Sequence, residues 1–562
     1  MGKKVFYDDD ARRRVLGGAQ ILYDAVASTM GPKGRNVVIS KSYGNPTVTH
    51  DGVAVAKGVD IDDVDDETLG YKVGAELIKQ AATKMNDVAG DGTTTVTILT
   101  YHILSEANKL IAAGHSPVLV RKGLEAAAHD VLEKLKGEPI EDKKDRVAQV
   151  ATISAGDGQI GQLIAEVMEK VGKDGVVTVE EGQGLALESE VLEGFTMDKG
   201  YVSPYMVTDT SRMEAVYNKP AILITDKKIS SIQEFLPILD KLAQAGKKDL
   251  VLIAEDLDGE ALGTLILNRL KGVFNTVAVK APAFGDRRIE ILEDIAILTG
   301  GIVITEGRGD LDAEIGDKKI FNFENVDISA IGSARKVIVT KDETTIIEGA
   351  GSRAAVKERI NQINKLIESA SSEYDREQLE ERRAALQGKV AVIKVGGATE
   401  TEIEEKKFRV DDAVAAVKAA LEEGIVPGGG VTLLNLAKLI NLKTSTWGEK
   451  HTEDILAGKL LLQGALVQPF RILLENAGFN PDEWLHKVRD TKKPGQGINV
   501  NTGKLVDLKA EGIVDPVRVI KEAIRNAVSI AGTAITMGAL VVDIPEKTAP
   551  VAPDMGGGMG MM

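Results

Sequence analysis

The order of apolar and polar positions predicts a mostly helical first segment. Residues 12–30 repeat apolar side chains at helical spacing and stop before Pro32, because proline disfavours helix in the residue that precedes it. A second helix is predicted over residues 69–88. A third begins after Gly90-Asp91-Gly92 and ends at Gly114, since glycine commonly terminates a helix.

The middle of the chain has a different pattern. Four apolar, β-branched runs of strand length alternate with three helical patterns; the runs are residues 221–225, 250–254, 276–280 and 302–305, and the helices are 232–245, 260–271 and 288–298. This alternation predicts a largely parallel α/β domain. Residues 352–387 predict a charge-rich pair of helices, and long helices return from residue 411. The pattern suggests that the middle is inserted into a domain built from both ends.

The composition excludes several classes of protein. The chain has 562 residues, enough for about three or four domains. It contains no cysteine, which excludes disulfide frameworks, cysteine-ligated metal sites and thiol nucleophiles. The formal net charge of −16 argues against a general nucleic-acid binder, which needs a basic surface.

Neither a targeting segment nor a membrane span is predicted. The chain start runs into Asp8-Asp9-Asp10 without the apolar stretch of a secretory signal. The uncharged stretch 526–542 is shorter than the roughly 20 apolar residues that a span needs, and its spacing predicts a buried helix. We therefore expect a cytoplasmic protein.

The glycine-rich loop before the third helix is the strongest candidate for chemistry. Residues 90–95 (GDGTTT) combine glycines, hydroxyl donors and the first N–H groups of a helix, which together favour a phosphate. Asp91 repels a phosphate unless a Mg²⁺ ion lies between them. The alternative is structural, with Asp91 capping the helix and the threonines filling its first turn.

Two further glycine-rich turns and three carboxylates leave their roles open. Residues 31–34 (GPKG) follow a helix end, and residues 427–430 (PGGG) precede a helix, so each fits either a tight turn or a nucleotide contact. Asp51, Asp412 and Asp515 stand beside turns or helix ends, where an aspartate usually caps a helix or faces solvent. Only their convergence in space would make them a site.

A G-x-G-x-x-G motif at residues 156–161 invites a different function. It follows a predicted strand at residues 147–153 and opens a predicted helix at 160–171, which is the context of a dinucleotide-binding fingerprint. Asp157 argues against this function, because its carboxylate would lie beside the negatively charged pyrophosphate without a cation between them. The sequence has no P-loop motif, and its six histidines lack the spacing of zinc ligands.

Four strings, together with the glycine- and methionine-rich tail, carry a family resemblance. They are residues 31–38 (GPKGRNVV), 87–95 (DVAGDGTTT), 374–377 (YDRE) and 422–430 (EEGIVPGGG). Over essentially its whole length the chain resembles the group I chaperonins of the bacterial GroEL type. The resemblance implies an ATP-dependent chaperonin, an ATPase that binds non-native proteins, encloses them with a lid co-chaperonin and promotes their folding.

The resemblance also implies the chaperonin fold, an α/β multidomain architecture. A mostly helical equatorial ATP-binding domain would span residues 1–135 and 423–545, and a small α/β intermediate hinge domain would span 136–192 and 391–422. An inserted α/β apical domain would span 193–390, and residues 546–562 would form a flexible tail. The motif at 156–161 then falls in the intermediate domain, where the family has no dinucleotide site.

By matching motifs, the resemblance implies an ATP site on the equatorial domain. Its ATP-binding residues would be Thr29, Met30, Gly31, Pro32, His50, Asp91, Gly92, Thr93, Thr94, Thr95, Gly429, Asn499, Val500, Asn501, Ile513 and Asp515. Asp91 would be the Mg²⁺ ligand, and the family allows K⁺ as a further cation. Asp412 would position the attacking water, with Asp51 as a second catalytic carboxylate. This set fits phosphoryl transfer, which depends mainly on positioning and charge stabilisation.

The partners implied by the resemblance are client proteins and a GroES-type co-chaperonin. Both would bind an apolar surface of the apical domain formed by Tyr201, Tyr205, Met206, Leu236, Leu239, Leu262, Ile266 and Leu267. From periodicity alone, the helical members of this set would be core residues. Subunits would assemble into seven-fold rings, as a double-ring tetradecamer, and neither a nucleic acid nor a membrane is expected as a partner.

Three residues depart from the family pattern. His50 stands where lysine is usual, Pro427 replaces a usual alanine, and Lys389 replaces a common hinge glycine. Two other functions stay open at this point. One is a nucleotide-dependent oxidoreductase that uses residues 156–161, and the other is a scaffold protein that keeps the fold without turnover.

Overall fold

Two compact units divide the chain. Unit 1 consists of Met1–Glu166, Val179–Glu188 and Val395–Met562, and unit 2 consists of Val167–Thr178 and Ser189–Lys394. The three-domain boundaries stay a prediction. The computed structural model describes residues 2–40, 46–63, 66–140, 144–172, 175–182, 184–210, 212–305, 326–370, 372–443, 449–491 and 493–544. The predicted tail, residues 546–562, lies outside the described residues.

The helices and strands are numbered in chain order. The helices are α1 (Asp8–Ala27), α2 (Gly52–Gly58), α3 (Tyr71–Ala89), α4 (Thr93–Ala112), α5 (Pro117–Lys134), α6 (Lys144–Ala155), α7 (Gly158–Val171), α8 (Ile232–Gln244), α9 (Gly259–Leu270), α10 (Asp286–Thr299), α11 (Arg353–Ser369), α12 (Glu373–Leu386), α13 (Glu400–Glu423), α14 (Val431–Ala437), α15 (Glu449–Ala465), α16 (Gln468–Asn476), α17 (Pro481–Asp490) and α18 (Val517–Ile535). The strands are β1 (Lys3–Tyr7), β2 (Val37–Ile39), β3 (Thr47–Thr49), β4 (Val176–Glu181), β5 (Glu188–Met197), β6 (Ala215–Asn218), β7 (Ala221–Thr225), β8 (Lys228–Ile229), β9 (Asp249–Ala254), β10 (Asp256–Leu257), β11 (Asn275–Lys280), β12 (Val303–Ile304), β13 (Gly332–Val339), β14 (Thr344–Gly349), β15 (Lys389–Val395), β16 (Ile425–Pro427), β17 (Gln496–Asn499), β18 (Lys504–Asp507), β19 (Val514–Pro516) and β20 (Ala539–Asp543).

Unit 1 is mainly helical and has an aliphatic core. Helices α1, α3, α4, α5, α15 and α18 pack against one another around it. The predicted third helix is confirmed: α4 begins at Thr93, and Gly114 follows its end at a φ of 98°, which glycine adopts most readily. The two ends of the chain meet in this unit, because β1 pairs antiparallel with β20.

The predicted buried helix over residues 526–542 is only partly right. Helix α18 ends at Ile535, and the chain continues as β20. In that strand Leu540 and Val542 are buried while their neighbours are exposed, which is the period of two expected for a strand with one buried face. Of the helices in the described ranges, none combines the length and apolar character that crossing a bilayer requires.

Unit 2 is built on a mixed sheet. Strands β11, β9, β7 and β12 run parallel, which confirms the predicted α/β alternation, and α8, α9 and α10 form the crossovers. The sheet continues from β7 through β13, β14 and β5 with antiparallel pairs. Its core is aliphatic and lies between the sheet and these helices.

The predicted charge-rich helix pair is confirmed as α11 and α12. Both helices are tied to α10 through Asp294, which is only 1% exposed. Its two carboxylate oxygens accept hydrogen bonds from Arg359 Nε on α11, at 2.6 Å, and from Arg382 Nε on α12, at 2.8 Å. Charged side chains therefore hold this pair in place where its apolar stripe is thin.

Candidate functional site

The loop between α3 and α4 is shaped by two glycines. Gly90 and Gly92 have φ values of 66° and 81°, in the left-handed region that favours glycine. A Cβ on Gly90 would lie 2.1 Å from the Ala415 Cβ of α13, and one on Gly92 would lie 2.7 Å from Val519 Cγ1 of α18. Both glycines are therefore needed for backbone shape and for close packing between these helices.

Asp91 does not cap α4. The N-cap residue is Gly92, and no side chain satisfies the first N–H groups of the helix. The Asp91 carboxylate instead accepts a hydrogen bond from the adjacent Gly92 N–H. Desolvation by the surrounding protein raises the Asp91 pKa, and the charge of Asp51 raises it further. Asp91 is therefore not the N-cap of α4, whereas the threonines do fill the first turn of that helix.

Asp51 combines a structural role with proximity to this loop. It is the N-cap of α2, where its two oxygens accept hydrogen bonds from Val53 N at 3.0 Å and Ala54 N at 2.8 Å. A Cβ on the next residue, Gly52, would lie 2.6 Å from Thr94 Oγ1. Despite its two N–H donors, the pKa of Asp51 is raised, because desolvation outweighs them.

Asp412 lies on α13, one turn before Ala415, where that helix packs against the loop. Its side chain is half-buried, and within the described part of the chain it forms neither a hydrogen bond nor an ion pair. Its pKa is raised well above the ordinary value by desolvation first and then by the charges of Asp51 and Asp91. The structure thus brings Asp51, Asp91 and Asp412 together from distant parts of the sequence.

Asp515 joins the same group of charges through Asp91. It lies on β19 and pairs with Val426 of β16. Strand β16 ends immediately before the glycine run 428–430. A Cβ on Gly428 would lie 3.1 Å from Asp515 Oδ1. Desolvation, followed by the charge of Asp91, raises the pKa of Asp515 to about 7.

The turn after α1 lies against the first turn of α4. Thr29 is buried, and its Oγ1 lies 3.1 Å from Thr94 Oγ1. Met30 is partly buried against the core, Gly31 has a φ of 82°, and Pro32 is exposed. Thr29 therefore places this turn beside Thr94, in the first turn of α4.

Asn476 was missed by the sequence reasoning although it fixes this turn. At the end of α16, its Nδ2 donates to the carbonyl oxygens of Ala27 at 2.9 Å and Met30 at 3.0 Å. An asparagine before Ala-Gly at a helix end gives no signal for such a contact, because its partners are more than 400 positions away in the chain.

His50 lies over the same turn as a neutral group. A Cβ on Gly34 would lie 2.8 Å from the His50 Cε1 atom. Desolvation lowers the His50 pKa, and the nearby Arg409 of α13 lowers it further. A neutral imidazole therefore occupies the position where the related family usually has a lysine.

The remaining predicted nucleotide residues divide into two sets. A Cβ on Gly429 would lie 3.9 Å from Ile513 Cγ2, so these two residues are neighbours beside Asp515. Asn499, Val500 and Asn501 form the turn between β17 and β18, where Asn499 Oδ1 accepts a hydrogen bond from Asn501 N. Val500 is buried in the core, whereas Asn501 is exposed.

The dinucleotide-binding context predicted for residues 156–161 is wrong. The predicted strand at residues 147–153 is part of helix α6, so the motif joins two helices. Its Asp157 caps α7, accepting a hydrogen bond from Gln159 N at 2.7 Å. A Cβ on Gly161 would lie 2.0 Å from Thr152 Oγ1, so this glycine serves the packing of α6 on α7. The observation that favoured an oxidoreductase is removed.

The predicted client-binding residues of unit 2 differ in exposure. Tyr205, Leu236 and Leu267 are 68%, 48% and 55% exposed, respectively. Tyr201, Leu262 and Ile266 are partly buried against the core, and Met206 and Leu239 are buried in it. Three side chains therefore form the exposed part of this surface, and the other five lie against or within the core.

A model of the TCP-1/cpn60 chaperonin family matches residues 22–545. The structure is similar to that of the chaperonin gp146 from the bacteriophage EL 2 (Pseudomonas aeruginosa), with a TM-score of 0.63 and 22% sequence identity, covering 97% of this chain and 99% of that one. At that identity the likeness shows the fold, and it confirms the predicted chaperonin fold. Because the family model spans nearly the whole sequence, the chain belongs to the TCP-1/cpn60 chaperonin family.

Proposed function

We propose that the chain is an ATP-hydrolysing chaperonin of group I, the bacterial GroEL type, and that unit 1 holds its ATP site. The observation that carries the proposal is the convergence of Asp51, Asp91 and Asp412 around the first turn of α4. Family membership supports it, and so does the phage chaperonin, which was solved in the presence of ATP-BeFx.

The N-terminus of α4 fits a phosphate group. The first N–H groups of a helix have no intrahelical acceptor, and the helix dipole favours a negative charge there. The N-cap of α4 is Gly92, which has no side chain to accept a hydrogen bond from these N–H groups, and a ligand could therefore do so. The hydroxyl groups of Thr93 and Thr94 approach the space beside Gly52, where any larger residue would collide with them.

The carboxylates fit a magnesium ion that is shared with the nucleotide. Among the described residues, no group of three or more histidine or acidic side chains is placed to hold a metal ion by itself. Mg²⁺ commonly takes one or two carboxylates and completes its ligands with phosphate oxygens and water. Asp91 would hold the ion, and the bound cation would offset the desolvation and the charge of Asp51 that raise the pKa of Asp91.

Asp412 is the residue we assign to the attacking water. Asp51 already accepts two backbone hydrogen bonds, whereas Asp412 accepts none from the described residues. Its raised pKa makes it a better proton acceptor than an ordinary aspartate. Asp412 would orient a water molecule and accept its proton, and Asp51 would act by its charge and by fixing α2.

Unit 2 would bind non-native proteins. Tyr205, Leu236 and Leu267 expose apolar area whose burial is non-directional and contributes about 25 cal/mol per Å², so many different clients could bind. A GroES-type lid would compete for this surface, and subunits would form seven-fold rings, stacked as a tetradecamer. These assignments rest on the family resemblance and on the exposure of those three side chains.

Phosphate release tests the proposal. The wild-type protein should hydrolyse ATP only with Mg²⁺, and Asp91→Asn should reduce the rate by about a hundredfold or more. Asp87→Asn is the matched control, because Asp87 is exposed on α3 four residues earlier, and it should keep the wild-type rate. If the wild-type protein released no phosphate, the scaffold alternative would replace the proposal.

A further inference from the structure

Arg269, in the last turn of α9, ties that helix to the turn that carries Tyr205. Its Nη1 donates to the Tyr205 carbonyl oxygen at 2.8 Å, and its Nη2 donates to the Val207 carbonyl oxygen. The two bonds hold the carbonyl groups on either side of Met206. One guanidinium therefore fixes both ends of a three-residue segment.

Most of the turn around Tyr205 is buried, although Pro204 beside it is exposed. Ser203, Met206 and Val207 are 7%, 0% and 4% exposed, whereas Tyr205 is 68% exposed. The Ser203 hydroxyl accepts a hydrogen bond from Tyr205 N, at 3.4 Å. Tyr205 is thus a single aromatic side chain that projects from an anchored backbone.

The chemistry of arginine suits this contact better than that of lysine. Its guanidinium offers several donors in a fixed plane and can serve two carbonyl groups at once, whereas an ammonium group acts as a point charge. The guanidinium also lies near the buried Tyr217, where its charge opposes the desolvation that raises the Tyr217 pKa to about 12. Its position is therefore set by contacts on more than one side.

We propose that Arg269 is a positioning residue that fixes the backbone of Tyr205 against α9, so that the exposed Tyr205 side chain is held in place for client binding. A side chain that is held in its binding orientation loses less freedom when it is buried by a partner, so affinity rises. The inference rests on the proposed client-binding function of unit 2.

The test measures capture of reduced, carboxymethylated α-lactalbumin, which stays unfolded, by the full-length protein without nucleotide. Arg269→Gln should weaken capture about fivefold. Lys271→Gln removes the same charge from an exposed position two residues later and should leave capture unchanged. Arg269→Lys keeps the charge but loses the planar set of donors that serves both carbonyl groups. This variant should therefore capture the unfolded chain much less well than the wild-type protein.

A double-mutant cycle with Tyr205→Ala separates positioning from general stabilisation. In the Tyr205→Ala background, Arg269→Gln should have almost no further effect on capture. Hydrogen exchange at residues 205–207 should rise in Arg269→Gln, with the melting temperature changing little. An equal loss of capture in both backgrounds would overturn the positioning role.

The test also separates this inference from the function on which it rests. If the wild-type protein failed to capture the unfolded chain, the client-binding function would be wrong. If the wild-type protein captured it and Arg269→Gln captured it equally well, the client-binding function would stand and the role of Arg269 would be wrong.

Discussion

Two aspartates, one in each unit, have opposite electrostatic surroundings. Asp294 in unit 2 is almost fully buried and lies between the guanidinium groups of Arg359 and Arg382. Asp412 in unit 1 has no such cation among the described residues, and the charges of Asp51 and Asp91 face it. The first carboxylate is satisfied within its unit, and the second is not.

The difference separates a structural carboxylate from the one that we propose to be functional. A buried charge is costly unless it is paired, so Asp294 is explained by the three helices that it joins. The charges of Asp51, Asp91 and Asp412 repel one another and raise the free energy of the nucleotide-free protein. Carboxylates with perturbed pKa values of this kind cluster at functional sites, where a ligand relieves the repulsion. We therefore expect changes at Asp294 to affect stability and changes at Asp412 to affect turnover.

The largest expected effect comes from Asp412→Asn. Losing the proton acceptor should lower the rate of ATP hydrolysis by about a thousandfold while ATP binding is kept, because the amide cannot take a proton from water. Single-turnover hydrolysis and nucleotide titration would measure the two quantities. Glu400→Gln, at an exposed position in the first turn of the same helix, is the control and should retain most of the turnover; full turnover in Asp412→Asn would contradict its assigned role.

Asp294→Asn should destabilise unit 2 by about 3 kcal/mol, since it leaves two guanidinium groups without their shared carboxylate. Chemical unfolding followed by circular dichroism would measure this loss. The matched control is Asp375→Asn, which breaks the exposed ion pair with Arg287 and should cost less than about 1 kcal/mol. Equal effects of the two substitutions would remove the distinction between Asp294 and a surface carboxylate.

Asp515→Asn should stabilise the nucleotide-free protein at pH 8, by about 1–2 kcal/mol. The folded-state pKa of Asp515 is about 7, above its ordinary value, so the folded protein favours the protonated form. The contribution of Asp515 to stability is therefore full below the ordinary pKa and is lost as the pH rises to about 7. The advantage of the variant should vanish near pH 4, which melting curves across this range would show.

The exposed Glu511 supplies the control for this pH dependence. Glu511→Gln removes a charge four residues away from Asp515 and should give a difference in stability that does not change between pH 5 and pH 8. If Asp515→Asn behaved in the same way, the pKa of Asp515 would not be raised in the folded protein.

Local pattern predicted much of the fold, and it failed where two patterns compete. The start of α4, its end near Gly114 and strand β7 follow directly from apolar spacing and glycine. The β-branched residues at 147–153 favoured a strand, but the buried positions Val147, Val150 and Ala151 have helical spacing, and the segment is α6. The composition of a short run is thus a weaker guide than the positions that the core buries.

The client-binding surface shows the same limit at the level of side chains. Leu236 and Leu239 lie on one helix three residues apart, yet the first is 48% exposed and the second is 6% exposed. Periodicity assigns both to a core, and the resemblance assigns both to a surface. Their different exposure depends on which neighbours pack over each position, and the sequence of the helix does not contain that information.

The sequence by itself determined the local elements of this protein: a loop rich in glycine and threonine at residues 90–95, the helices beside it and the parallel strands of unit 2. Tertiary structure alone decided that Asp51, Asp91, Asp412 and Asp515 share one electrostatic environment. It also decided that Arg269 reaches the carbonyl oxygen of Tyr205. The reason is physical: periodicity and capping act over a few neighbouring residues, whereas desolvation and charge repulsion depend on distances in space between residues far apart in the chain.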